Sequence, residues 1–206
     1  MQLSSELARE LLQIKAVQIN PTDYFTWTSG IQSPIYCDNR ITMSYPEVRT
    51  KIAAAFEERV SQMAIKPDVI AGCATAGIPH AAWLADRLNL PMVYVRSKPK
   101  AHGKGNQIEG GSVQGKNVVV IEDLISTGGS SLEAVEALRK AGAEVLEVMS
   151  IFSYGLSSSY DNFEKANISY QSLTNYDALL QALVEDGKLT NQEKSILLDW
   201  RNALES

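Results

Sequence analysis

VVVIEDLISTGGS, residues 118–130, decides the fold. Val118 to Ile121 are four consecutive β-branched residues, the pattern of a parallel strand buried on both faces. Glu122 and Asp123 follow. Adjacent carboxylates repel one another, so a partner is expected there, either a metal ion or hydroxyl donors. The chain then breaks into Ser126, Thr127, Gly128, Gly129 and Ser130 before a helical pattern begins. Small residues let backbone N–H groups converge, and together with the helix N-terminus they form an anion cradle. Strand, acid pair and cradle in that order suit a phosphorylated ribose, with carboxylates for the vicinal diol and amides for the 5′-phosphate. The plainer alternative is a tight strand-to-helix turn with a capping hydroxyl and solvated acids. The run has neither the lysine of a P-loop nor the spacing of a dinucleotide fingerprint, and acids that precede the glycines favour the ribose phosphate.

Outward from this run, four further apolar stretches read as strands: 68–72, 92–95, 145–152 and 168–173. Helical patterns lie at 47–63, 78–88 and 130–141, the first opened by Pro46 and the last stopped by Gly142. This alternation predicts an α/β fold: an open, mainly parallel five-stranded sheet with flanking helices and right-handed crossovers. Ligands of such sheets sit beyond the carboxyl ends of the strands, where the acid pair falls. Residues 2–15 read as a helix, and 23–38 as two short strands around Ser29-Gly30, a flap. Helices are expected at 176–185 and 191–204, separated by Gly187. Residues 97–115 hold five glycines and few apolar residues, which marks a long loop of functional or disordered type. Residues 1–206 are expected to form a single domain, with 1–45 contributing a hood over the site.

The composition agrees with one domain, since 206 residues at 45% apolar content fill one core. A net charge of −5 speaks against a nucleic-acid partner. No run approaches the roughly 18 apolar residues of a membrane span. The opening MQLSSELARELLQIK lacks the apolar region of a signal peptide. Cys37 and Cys73 lack metal-ligand spacing, so a reducing cytoplasm is the expected setting.

The 118–130 run resembles the PRPP-binding motif of the type I phosphoribosyltransferases. Two other segments narrow the resemblance. RSKPKAHGKGNQIEG, 96–110, resembles the flexible catalytic loop of the orotate phosphoribosyltransferases, and FTWTSGIQSPIYCDNR, 25–40, resembles their orotate-side segment. The similarity runs in order from the N-terminal helix to about residue 175. It implies transfer of a phosphoribosyl group from PRPP to orotate, with Mg²⁺ held mainly through PRPP rather than by a protein metal site. It further implies a homodimer, because the loop of one subunit reaches the site of its neighbour.

Carried onto this chain, the resemblance makes Lys100, His102 and Asp123 catalytic. It assigns PRPP contacts to Arg96, Lys100, His102 and the run Glu122, Asp123, Leu124, Ile125, Ser126, Thr127, Gly128, Gly129 and Ser130. Thr75, Ala76 and Gly77, in AGCATAGIPH, match the pyrophosphate loop in place, although relatives often carry Tyr-Lys where Thr75-Ala76 stand. Ser126 falls where a hydroxyl contacts orotate. The loop itself reads as a cationic arm: Arg96, Lys98, Lys100 and Lys104 place four cations in nine residues, and no acid appears before Glu109. Cations aimed at a departing pyrophosphate stabilise the transition state more than the ground state, and a lid keeps water from an oxocarbenium-like sugar. A solvated surface loop is the plain alternative.

Three departures bear on the base. Ser97 stands where relatives often have a second lysine, Thr28 replaces a lysine, and the strand end 151–154 lacks an arginine that some relatives carry. Arg40 is the candidate replacement for gripping the orotate carboxylate, against a surface salt bridge with Asp38 or Glu47. His80 reads as packed rather than catalytic. The competing functions are a purine-type phosphoribosyltransferase and a PRPP-sensing nucleic-acid-binding regulator of the same fold. The acidic charge and the Lys/His lid weigh against the regulator.

Overall fold

The computed structural model describes residues 2–26, 30, 32–97 and 107–204. The chain opens with helix α1 (Gln2–Gln13), then strand β1 (Val17–Ile19), the hairpin β2 (Phe25–Thr26) and β3 (Gln32–Ser33), and strand β4 (Ile35–Cys37), which pairs antiparallel with β1. A 3₁₀ turn, Asn39–Ser44, is capped by the Asp38 carboxylate and leads into α2 (Pro46–Gln62). The remainder alternates: β5 (Val69–Cys73), α3 (Gly77–Leu88), β6 (Met92–Val95), β7 (Ile108–Glu109), β8 (Asn117–Ile125), α4 (Gly129–Lys140), β9 (Glu144–Ser153), α5 (Ser157–Lys165), β10 (Tyr170–Asn175), α6 (Tyr176–Glu185) and α7 (Asn191–Ala203).

The sheet has six strands in the order β10-β9-β8-β5-β6-β7, parallel throughout except for the antiparallel edge strand β7. Five strands were expected. The sixth is two residues long, too short to show any periodicity in sequence. Helix α5 was also unforeseen: SSSYDNFEK is mostly polar, and only Ser159 and Phe163 on it are buried.

Burial on both faces explains the continuous β-branched run. Val118 and Val120 enter one core with Val135, Leu138 and Phe163 from α4 and α5. Val119 and Ile121 enter the other with Ile52, Phe56 and Leu84 from α2 and α3. All four are fully buried, each worth about 1.5–3 kcal/mol of apolar burial. Helix α1 joins this second core through Leu7, Ala8 and Leu11, as do Val17 of β1 and Ile35 of β4, although β1–β4 pair among themselves and not with the main sheet. No helix among the described residues is long and apolar enough to cross a membrane. Cys37 and Cys73 are free thiols.

Candidate active site

Strand β8 runs further than its neighbour. Its pairing with β5 stops at Ile121↔Gly72, while its pairing with β9 continues to Ile125↔Ser153. Glu122 and Asp123 therefore lie within β8 but past its last pairing with β5, where a ligand of a parallel sheet is expected. The sequence places them at the strand's end, and the structure keeps them in extended backbone two residues longer.

Two helix N-termini converge here. Helix α4 begins at Gly129 behind Gly128, which has φ +84° and no side-chain cap. A Cβ on Gly128 would lie 2.4 Å from Phe163, so glycine is required on two counts. The first turn of α4 carries no acid, and its last turn carries Arg139 and Lys140. The uncapped N–H groups of that turn thus remain available to an anion. Helix α3 begins at Gly77 after the exposed Thr75 and half-buried Ala76, again with no side-chain cap. A Cβ on Gly77 would sit 2.4 Å from the Ile121 carbonyl oxygen and 3.3 Å from Glu122 Cα. That glycine lets the α3 turn press directly against the acid-bearing strand. The sequence-assigned Thr75, Ala76 and Gly77 are thereby brought beside the Glu122–Ser130 run.

Glu122 is buried and turned toward the cradle. Its Oε2 accepts from Ser130 Oγ at 3.1 Å and Ser131 Oγ at 3.4 Å, and its Oε1 accepts from the Asp123 N–H at 3.0 Å. The carboxylate thus ties the strand to the first turn of α4. Ser131 was not foreseen, since in sequence it reads only as a helix residue. Burial, reinforced by the charge of Asp123, pushes the Glu122 carboxyl up to about 8, and burial also raises Asp123. Among the described residues no group of three or more His, Cys, Asp or Glu is placed to hold a metal ion. The pair instead suits hydroxyl donors, or a divalent ion that brings most of its ligands with it.

The raised carboxyl has a consequence for stability. An acid whose folded pKa lies above its unfolded value, 4.5 for glutamate, stabilises the fold fully below that value and loses the contribution as pH rises through about 8. Glu122→Gln removes the titration. The melting temperature of Glu122→Gln relative to wild type is expected to climb steadily as pH rises between those limits. A difference independent of pH would contradict a buried, protonated Glu122.

Arg96 follows β6, and its backbone N–H donates to the Gln107 carbonyl at 2.9 Å while Gln107 Nε2 donates to the Arg96 carbonyl at 2.8 Å. Its guanidinium approaches Glu109 at 3.5 Å. Arg96 and Gln107 are thus paired with each other at the end of β6. Lys100 and His102, with Lys98, Lys104 and Thr28, lie outside the described residues. Arg40 holds Asp38 with its fork, Nε to Oδ1 at 2.6 Å and Nη2 to Oδ2 at 2.8 Å. That is the salt bridge weighed against it in sequence. His80 is packed as expected: its ring is buried edge-on to Trp83, and burial lowers its pKa to about 4, so it is neutral. Asn39, passed over in sequence, donates from Nδ2 to the Asp123 carbonyl at 2.8 Å.

Two uncapped helix N-termini beside a buried acid pair make an anion- and hydroxyl-binding site at the carboxyl end of the parallel sheet. The sequence model described as Phosphoribosyl transferase domain matches residues 44–177. The orotate phosphoribosyltransferase of Oceanobacillus iheyensis is 64% identical over 202 residues, 98% of this chain and 100% of that protein. That of Listeria innocua is 54% identical over 201 residues, 98% of this chain and 96% of that protein. The crystal structure of the Aeropyrum pernix orotate phosphoribosyltransferase superposes with a TM-score of 0.76 at 28% identity, covering 87% of this chain and 98% of that one. The chain belongs to the orotate phosphoribosyltransferase family.

Proposed function

We propose that the protein transfers the 5-phosphoribosyl group of PRPP to orotate, giving orotidine 5′-phosphate and pyrophosphate in pyrimidine synthesis. The observation that carries this is the acid pair set between two uncapped helix N-termini. One cradle, Ser126 to Ser130, takes the 5′-phosphate, and the Glu122–Asp123 pair takes the ribose diol. The Thr75-Ala76-Gly77 turn, with Arg96 and the lid residues Lys100 and His102, takes the pyrophosphate. In the transfer the bond from the ribose anomeric carbon to pyrophosphate breaks, and a bond from that carbon to a ring nitrogen of orotate forms. The sugar becomes oxocarbenium-like and the negative charge collects on the leaving group, where the N–H groups and lid cations oppose it. Mg²⁺ would be held mainly through PRPP, with the Glu122–Asp123 pair beside it, and would offset part of that charge.

The lid is proposed to act across a homodimer, the protein is proposed to work in the reducing cytoplasm, and β1–β4 within residues 1–45 are proposed as the hood. For orotate, Ser126 supplies a hydroxyl at the start of the cradle. Arg40 remains the candidate for the carboxylate, through a guanidinium whose side chain is 63% exposed although its fork is on Asp38. If Arg40 exchanges Asp38 for orotate, Arg40→Ala raises the orotate KM by about tenfold to a hundredfold, the scale of a charge-assisted hydrogen bond, and spares the PRPP KM. An unchanged orotate KM leaves Arg40 as the staple of the 3₁₀ turn. The proposal as a whole is tested by following orotate consumption with PRPP and Mg²⁺. Stoichiometric pyrophosphate release supports it; consumption of a purine base in place of orotate would overturn it.

A further inference from the structure

Asn39 has no role in the reaction outlined above, yet it is a polar side chain only 1% exposed, at the first position of the 3₁₀ turn after β4. Its Nδ2 reaches the Asp123 carbonyl at 2.8 Å across 84 residues of sequence. We infer that Asn39 is a positioning residue, which fixes the backbone of Asp123 from the hood and so sets the carboxylate for the ribose diol of PRPP; this rests on the phosphoribosyl-transfer reading.

The need for it follows from the sheet. Past Ile121 strand β8 has lost β5 as a partner, and backbone groups facing that gap must be satisfied some other way. Asp123 solves this with side chains: its N–H goes to Glu122 Oε1 and its carbonyl takes the Asn39 amide. A neighbouring strand would fill the very space the sugar needs, whereas a single amide completes the bonding at the edge and leaves the gap open. The orientation of the amide is determined as well. Flipping it would set the Asn39 Oδ1 against the Asp123 carbonyl oxygen, acceptor against acceptor.

Asn39 is itself held. Thr42 Oγ1 donates to the Asn39 carbonyl at 2.6 Å. With the hydroxyl proton spent there, the 3.4 Å contact between Thr42 Oγ1 and His80 Nε2 runs from the ring N–H to the Thr42 oxygen. His80 stands on α3, the helix into which the Thr75–Gly77 segment leads. A chain of buried groups thus joins the α3 helix, the 3₁₀ turn and the acid-bearing strand. Were Asn39 only a space-filler of the hood, its loss would lower stability and affect both substrates alike. A positioning role affects PRPP selectively.

The test replaces Asn39 by leucine, which keeps the branching at Cγ and removes the donor, and measures PRPP–Mg²⁺ binding by calorimetry without orotate, the KM for each substrate and the melting temperature. Expected for Asn39→Leu is about tenfold weaker PRPP binding, the loss of one buried hydrogen bond, with the orotate KM unchanged. Thr42→Val, which frees the Asn39 backbone but keeps its amide, is expected to shift PRPP binding in the same direction by less, and it decides the matter alone if Asn39→Leu does not fold. Unchanged PRPP binding, or equal losses for both substrates that track the melting temperature, would overturn the inference. Wild-type protein that fails to bind PRPP would instead sink the reading of the reaction, so the two failures are told apart.

Discussion

Lys100→Ala is expected to lower kcat by about a hundredfold or more, the cost of removing one group that stabilises transition-state charge. PRPP binding is expected to change much less, because the cradle at Gly128–Ser130 and the acid pair remain. Residues 96–104 form a cationic arm in the sequence. Arg96 and Gln107 are hydrogen-bonded to each other at the end of β6, beside the carboxyl end of the sheet. A cation on such an arm is suited to charge that appears only as pyrophosphate leaves. Single-turnover measurements separate the chemical step from product release, and a Lys100→Ala enzyme with wild-type single-turnover rate would remove the lid from the mechanism.

The second large effect is expected at Asp123. Asp123→Asn keeps the shape but exchanges a carboxylate that accepts at both oxygens for an amide with one acceptor. PRPP affinity should fall by about tenfold to a hundredfold, the range for a hydrogen bond to a charged group. The fold should survive, and burial gives a reason: desolvation disfavours the charged Asp123 carboxylate, and a neutral amide of the same shape avoids that cost. Melting temperature at neutral pH is thus expected to hold or rise while PRPP binding drops. Wild-type PRPP affinity in Asp123→Asn would refute the diol assignment. The two variants also test sharing of sites between subunits. Mixed Lys100→Ala and Asp123→Asn protein should regain activity in heterodimers that combine one intact lid with one intact acid pair, and no recovery after verified subunit exchange would argue for self-contained sites.

The sequence made the sheet legible because both of its faces are covered. Val118–Ile121 could be read as a strand without knowing what packed on it, and Gly142 marked the end of α4 unaided. Elements of little apolar content escaped: β7 is a two-residue edge, and α5 is anchored mainly by Phe163 against Gly128. The same divide runs through the site. Glu122, Asp123 and the small residues after them stand together in the chain and could be read as a unit. Asn39 and Asp123 are 84 residues apart, and only the early end of the pairing between β5 and β8 makes their contact necessary. Ser131 was hidden differently, as one more helix residue whose role depends on the burial of Glu122. Arg40 shows the converse. Its neighbour Asp38 was visible in sequence as a competitor for the guanidinium, but only geometry shows both arms of the fork taken.

The place of α1 bears on how the chain assembles. Its apolar face, Leu7 and Leu11, packs with α6, Ser4 bonds Thr174, and Arg9 pairs with Glu185 and Asp186. These partners follow by 170 residues or more. Contacts so remote in sequence must await closure of nearly the whole chain and slow folding accordingly. On the ribosome, α1 therefore gains its docking site on β10 and α6 only after the final third of these residues has been made, long after the helix itself has emerged.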